Sequence, residues 1–233
     1  MALHFTGPIL QSEKSGGSRQ WYSNLPVGED PSYVSSFNDF LFSQNYAAAD
    51  WVVTETQAGA TQAIAADELN GALLLTNSAA DDDVNQLQST EEAFRLTAGK
   101  KMWFECKMKI SDATQSDFYI GLATTDTTII AGTTDSIGFR KLDGSATVSS
   151  ITEDATVETT NTANTIVTDT YVTYGFYWDG SAKVEFSVDR ALTATHTTNI
   201  EQTNKLALTF TLQNGEAVAK NLTIDYYYIT MER

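Results

Sequence analysis

The chain has 233 residues, 42% of them hydrophobic and 19% charged, and 14 Lys and Arg against 30 Asp and Glu give a formal charge of −16. Such a length buries a core without a metal or disulfide staple, and the composition excludes a disordered acidic tail and a coiled coil. The negative charge repels phosphate, which excludes nucleic acid and anionic membrane surfaces as partners.

The single cysteine, Cys106, can form neither an intrachain disulfide nor a zinc cluster, so synthesis in a cytoplasm is expected. No apolar window approaches a membrane span and the first residues lack a signal-peptide pattern. The abundance of Thr, Val, Ile, Tyr and Phe favours strands.

In chain order, residues 1–45 come first. They hold all three prolines, Pro8, Pro26 and Pro31, and proline is confined to edges and turns, so this part reads as an extended arm. The arm carries Phe5, Ile9, Trp21, Tyr22, Tyr33 and Phe37, too much apolar surface for a solvated linker. These six are expected to pack on the domain or on another chain.

Residues 46–233 read as one β-sandwich domain, in which short alternating runs separated by turn residues recur. The run 101–110 places Met102, Phe104, Cys106, Met108 and Ile110 on one face and Trp103, Glu105, Lys107 and Lys109 on the other. Residues 171–178, 183–189 and 206–212 repeat the scheme, and further strands are expected near 51–56, 72–77, 118–124, 137–141, 146–151 and 222–231. Tyr226, Tyr227 and Tyr228 break the alternation, which a bulge near Asp225 explains. Ser89-Thr90-Glu91-Glu92 is a capping-box pattern, too short a signal for more than one turn. Two antiparallel sheets packed face to face as a jelly roll fit this number of strands.

Catalytic constellations are sparse. The two histidines, His4 and His196, cannot assemble a triad or a multi-histidine metal site. Cys106 reads as a small buried hydrophobe. The best carboxylate pair, Glu185 and Asp189, reads as a solvated sheet face rather than a general acid and base. Asp81-Asp82-Asp83, between Asn77 and Asn85, offers oxygen ligands of the kind calcium takes, but it lacks a spaced loop motif, and a solvated loop accounts for it. Glu153, Asp154 and Glu158 read as an exposed loop. Trp103 and Tyr177, expected outward, form either an interface or a sugar-stacking platform, the interface being preferred. No catalytic residue, metal site or cofactor is assigned.

Several segments carry a resemblance: 100–105, 109–113, Ile120-Gly121-Leu122-Ala123, 137–141, 188–196 and Leu222-Thr223-Ile224-Asp225-Tyr226. Together they resemble concanavalin A-like (laminin-G/lectin-type) domains of tailed bacteriophages. Arg190 stands where that group has a turn glycine, and the catalytic Glu-x-Asp-x-x-Glu signature of the glucanase branch is missing. The resemblance implies a two-sheet jelly-roll sandwich in a virion structural component. The expected function is therefore non-enzymatic: a capsid decoration or cement protein on the virion surface, with a major capsid protein and sister subunits, in a homo-oligomer such as a trimer, for partners. A glycan-binding module of a head or tail fibre is the alternative, with a glycan as ligand, and a glycoside hydrolase ranks below both.

Overall fold

A computed structural model describes residues 9–10, 26–27, 32–41, 46–65 and 68–233. The strands are β1 (Ile9–Leu10), β2 (Pro26–Val27), β3 (Tyr33–Asn38), β4 (Trp51–Glu55), β5 (Thr61–Ile64), β6 (Leu73–Thr76), β7 (Val84–Ser89), β8 (Met102–Ile110) and β9 (Ser116–Ala123). They continue with β10 (Ser136–Lys141), β11 (Thr147–Asp154), β12 (Val157–Thr165), β13 (Val172–Trp178), β14 (Val184–Val188), β15 (Ala191–His196), β16 (Ala207–Asn214) and β17 (Asn221–Glu232). One 3-10 turn, Ala48–Asp50, precedes β4.

Among the described residues, β1 pairs with β2 alone. The other strands form two antiparallel sheets, a seven-stranded one in the order β12-β11-β10-β9-β16-β7-β4 and an eight-stranded one in the order β15-β14-β13-β8-β17-β6-β5, where β3 also pairs β17. β6 and β3 share one edge of β17: β6 takes residues 221–224 and β3 takes residues 227–232. This is the expected all-β sandwich. Phe5, Trp21 and Tyr22 lie outside the described residues, whereas Tyr33 and Phe37 belong to a strand of the larger sheet.

Alternation sets the core. Phe104, Cys106, Met108 and Ile110 of β8, Phe176 and Trp178 of β13, and Phe118, Ile120 and Leu122 of β9 all belong to one buried cluster between the sheets. Phe104 stacks on Phe176 at 4.9 Å between ring centroids. His196 lies at the edge of this cluster, its ring nitrogens bonded to Ser150 Oγ and Thr152 Oγ1 at 3.0 and 2.9 Å. Burial lowers its pKa to about 4, so the ring is neutral.

The bulge expected at Asp225 is present, because the register of β17 against β8 shifts between Ile224 and Tyr226. The β14–β15 hairpin is as tight as a glycine would make it. Asp189 and Arg190 take φ of +48° and +64°, the left-handed pair that a two-residue hairpin turn needs.

Residues 84–89 and 157–165 are strands, and Glu153 is buried at the end of β11 rather than exposed in a loop. Ser136 Oγ donates to Glu153 Oε2 at 3.1 Å. The capping-box segment at Ser89 forms no helix, since Ser89 ends β7.

Candidate functional site on the outer face of the eight-stranded sheet

Residues of β8 that point away from the core lie two apart, and each meets a partner from a neighbouring strand or loop. Trp103 packs its ring 5.3 Å from Tyr177 and 6.3 Å from Tyr33. Glu105 accepts two bonds from Arg190, at 3.0 and 3.2 Å, and a third from the Tyr226 hydroxyl at 2.6 Å. Lys107 pairs with Asp225 at 2.6 Å, and Lys109 pairs with Glu68. Both ammonium groups stand over the Tyr171 ring, at 4.9 and 4.7 Å from its centroid. Tyr171 in turn donates to Glu68 Oε2 at 3.1 Å.

Electrostatics follows from this wiring. The hydrogen bond from Lys109 holds the Glu68 carboxyl below its usual range. Burial, reinforced by Glu68, pushes the Tyr171 hydroxyl up, so Tyr171 stays a donor at neutral pH.

Where β6, β8 and β17 run side by side, the surface opens into a cavity of about 320 Å³, within the size range of small-molecule sites. Glu68, Lys109, Ser111, Asp169, Asn221 and Thr223 supply polar walls, and Ala65 and Leu74 add an apolar patch. The Ser111 hydroxyl accepts the Asn221 N–H at 2.8 Å, which leaves its own proton free to donate. Asn221 Oδ1 is buried and has no hydrogen-bond partner among the described residues. The cavity thus presents an ion pair, a carboxylate, an amide and hydroxyls around a small apolar floor.

The outer face of the seven-stranded sheet is partly covered, and a smaller cavity of about 220 Å³ remains there between Thr56, Val84, Gln86, Ile129, Thr211 and Gln213. The segment 124–135 straps across it, and Ile129 packs with Tyr119 and Ala123. Two glutamines fasten the strap: Gln86 Nε2 donates to Asp126 O at 2.6 Å, and Gln88 Nε2 donates to Thr124 O at 3.2 Å. Tyr119 lies over the paired Gly121 and Gly138, where a Cβ on Gly138 would collide with Ile120 O.

Trp103 occupies the predicted face but is only 1% exposed, so it offers no free stacking platform. Tyr177 lies against it, half-buried, with its hydroxyl pKa raised to about 12, chiefly by burial. Phe37 is 60% exposed, 6.3 Å from the Tyr226 ring. Glu185 and Asp189 form no catalytic pair: Lys183 binds Glu185, and Asp189 sits in the hairpin turn and accepts Thr173 N–H at 2.9 Å. Sequence reading missed Glu68, Asp169, Tyr171 and Asn221. The available signal was Lys107 and Lys109, two outward cations in succession on a strongly acidic chain.

No protein family matches the chain, and no curated protein does. Solved structures do match. A Shewanella oneidensis MR-1 protein of unknown function superposes with a TM-score of 0.61 at 14% identity, over 94% of this chain and 97% of its own. An endo-1,3-beta-glucanase from Streptomyces sioyaensis superposes with a TM-score of 0.64 at 14% identity, over 88% of this chain and 99% of the glucanase. The Emp46p carbohydrate recognition domain, in its metal-free form, gives 0.56 at 10% identity over 82% and 93%. At these identities the likeness establishes the jelly-roll fold. It also overturns the expectation that an enzyme is excluded, because nearly the whole glucanase chain is built on this same sandwich.

Proposed function

We propose that the chain is a carbohydrate-binding sandwich that seats a sugar residue in the cavity between β6, β8 and β17. The cavity carries the proposal: its walls offer both donors and acceptors around Leu74 and Ala65. A sugar ring needs that mixture, since each hydroxyl both donates and accepts while its C–H faces seek apolar contact. Lys109 and Glu68, already paired, present a fixed donor beside a fixed acceptor and suit adjacent hydroxyls. Asn221 lines the same wall and adds an amide to these polar groups. The shared fold with a glucanase and a carbohydrate recognition domain agrees with this reading. The capsid-decoration reading, with a major capsid protein as partner, rests on the sequence resemblance alone.

A glycan array followed by calorimetric titration tests the proposal. Asn221→Ala and Glu68→Gln should each weaken the binding of the array's best ligand by about tenfold, the worth of one hydrogen bond of ~1.4 kcal/mol. Unchanged affinity in both variants would move the ligand to another face.

A further inference from the structure

Among the described residues, five buried side-chain polar atoms have no hydrogen-bond partner, and three of them, Asn77 Oδ1, Ser78 Oγ and Asn214 Oδ1, belong to one knot. The knot is the crossover from β6 in one sheet to β7 in the other, closed by the end of β16. Asn77 Nδ2 donates to Asp83 O at 2.5 Å, and Asn214 N–H reaches the same carbonyl at 3.0 Å. Asn214 Nδ2 donates to Ser78 O and Ala80 O, both at 2.7 Å. These bonds fix both amides, because a flip would set oxygen against carbonyl oxygen. The two amides therefore sit inside the loop with their oxygens unused, and Asn77 and Asn214 are 2% and 0% exposed.

Asp83 shares the interior. It is 0% exposed, and its carboxylate accepts Thr56 Oγ1–H at 3.1 Å and Ser78 N–H at 2.7 Å. No Lys or Arg among the described residues forms an ion pair with it. A buried carboxylate is ordinarily paired with a cation or coordinated to a metal. A buried water satisfies orphan acceptors but leaves that charge uncompensated. Asp81 and Asp82 add negative charge at the mouth of the same loop.

We propose that Asp83, Asn77, Ser78 and Asn214 form a site for a hard divalent cation of the calcium class. Carboxylate, amide carbonyl and hydroxyl oxygens, with no nitrogen or sulfur donor, are the ligands such an ion selects. Bound there, the ion ties the crossover between the sheets to the end of β16. The site is separate from the sugar cavity, so the two readings succeed or fail independently.

The test uses the full chain stripped with chelator and titrated with calcium chloride by calorimetry, alongside thermal melts. The expected result is one equivalent bound and a Tm raised by ~5–10 °C at a hundredfold excess over Kd. Asp83→Asn should abolish both effects, and Glu201→Gln should preserve them. The second variant probes the carboxylate cluster found elsewhere among the described residues, Asp135, Asp154 and Glu201, whose oxygens lie within 4.8 Å of one another. Should Asp83→Asn fail to fold, an anomalous difference map of wild-type crystals soaked in manganese chloride locates the ion. Density beside Asp83 supports the proposal. Absence of binding, or an ion at Asp135, Asp154 and Glu201 alone, overturns it.

Discussion

Arg190 holds a left-handed φ of +64° while its guanidinium grips Glu105 through two bonds, Nη2 to Oε1 at 3.0 Å and Nε to Oε2 at 3.2 Å. The turn asks for glycine and the neighbouring strand asks for a cation. The cation prevails because Glu105 is buried, and a buried carboxylate stripped of its ion pair loses more than a strained φ costs. Arg190→Gly should therefore destabilise the fold by ~1–2 kcal/mol despite relieving the backbone, and Arg190→Ala by about a further 1 kcal/mol. Urea unfolding of the three proteins checks the order. A glycine variant more stable than wild type would show that backbone strain outweighs the ion pair.

His196 titrates against the fold. Its folded pKa of about 4 lies below the ordinary 6.5, so between those values the unfolded chain binds the extra proton and stability falls as pH drops. Denaturant melts from pH 7 to pH 4.5 should lose more stability in wild type than in His196→Gln. Parallel losses in the two proteins would show that the buried ring is not the cause.

Asp117 works in the opposite direction. Burial, with Asp143 and Asp82 nearby, raises its pKa from 3.8 to about 6. The folded state then binds the extra proton, and the stability present below pH 3.8 is lost as pH rises through 6. Asp117→Asn, which keeps an acceptor for the Asp143 N–H now at 2.6 Å, should stabilise the protein by about 1–3 kcal/mol at pH 7 and by little at pH 4. An equal gain at both pH values would point to packing rather than charge.

Gly138→Ala tests the crowding beneath the strap. Its Cβ would collide with Ile120 O and stand 3.0 Å from the Tyr119 hydroxyl, so strands β9 and β10 must part or Tyr119 must move. A loss of ~2 kcal/mol or more is expected in urea melts, together with increased proteolysis within 124–135. Wild-type stability would mean that the strands separate without cost.

Much of the fold was legible because buried strands write their faces in alternate residues. The run from Met102 to Ile110, the bulge at Asp225 and the strands carrying Phe176 and Phe210 all follow from that pattern. β7 hid because Gln86 and Gln88 are buried by hydrogen bonds to the strap, which places polar letters on both faces. β12 hid because its Thr and Asn residues are mostly solvated, and β3 because it follows a proline-rich stretch. Alternation gave Trp103 its correct face but is silent about what covers that face. The cavity was illegible because Glu68, Lys109, Asp169 and Asn221 come from separate segments that only the strand order brings together.

Binding of a sugar between β6, β8 and β17 is tested most directly by amide chemical-shift mapping of the full chain with added glucan oligosaccharide. Saturable shifts at Ser111, Asp169 and Asn221, with the strap residues Asp126 and Ile129 unmoved, are the expected result. Shifts centred on Gln86, Gln88 and Ile129, or no saturable shift with any of the array's glycans, would contradict it.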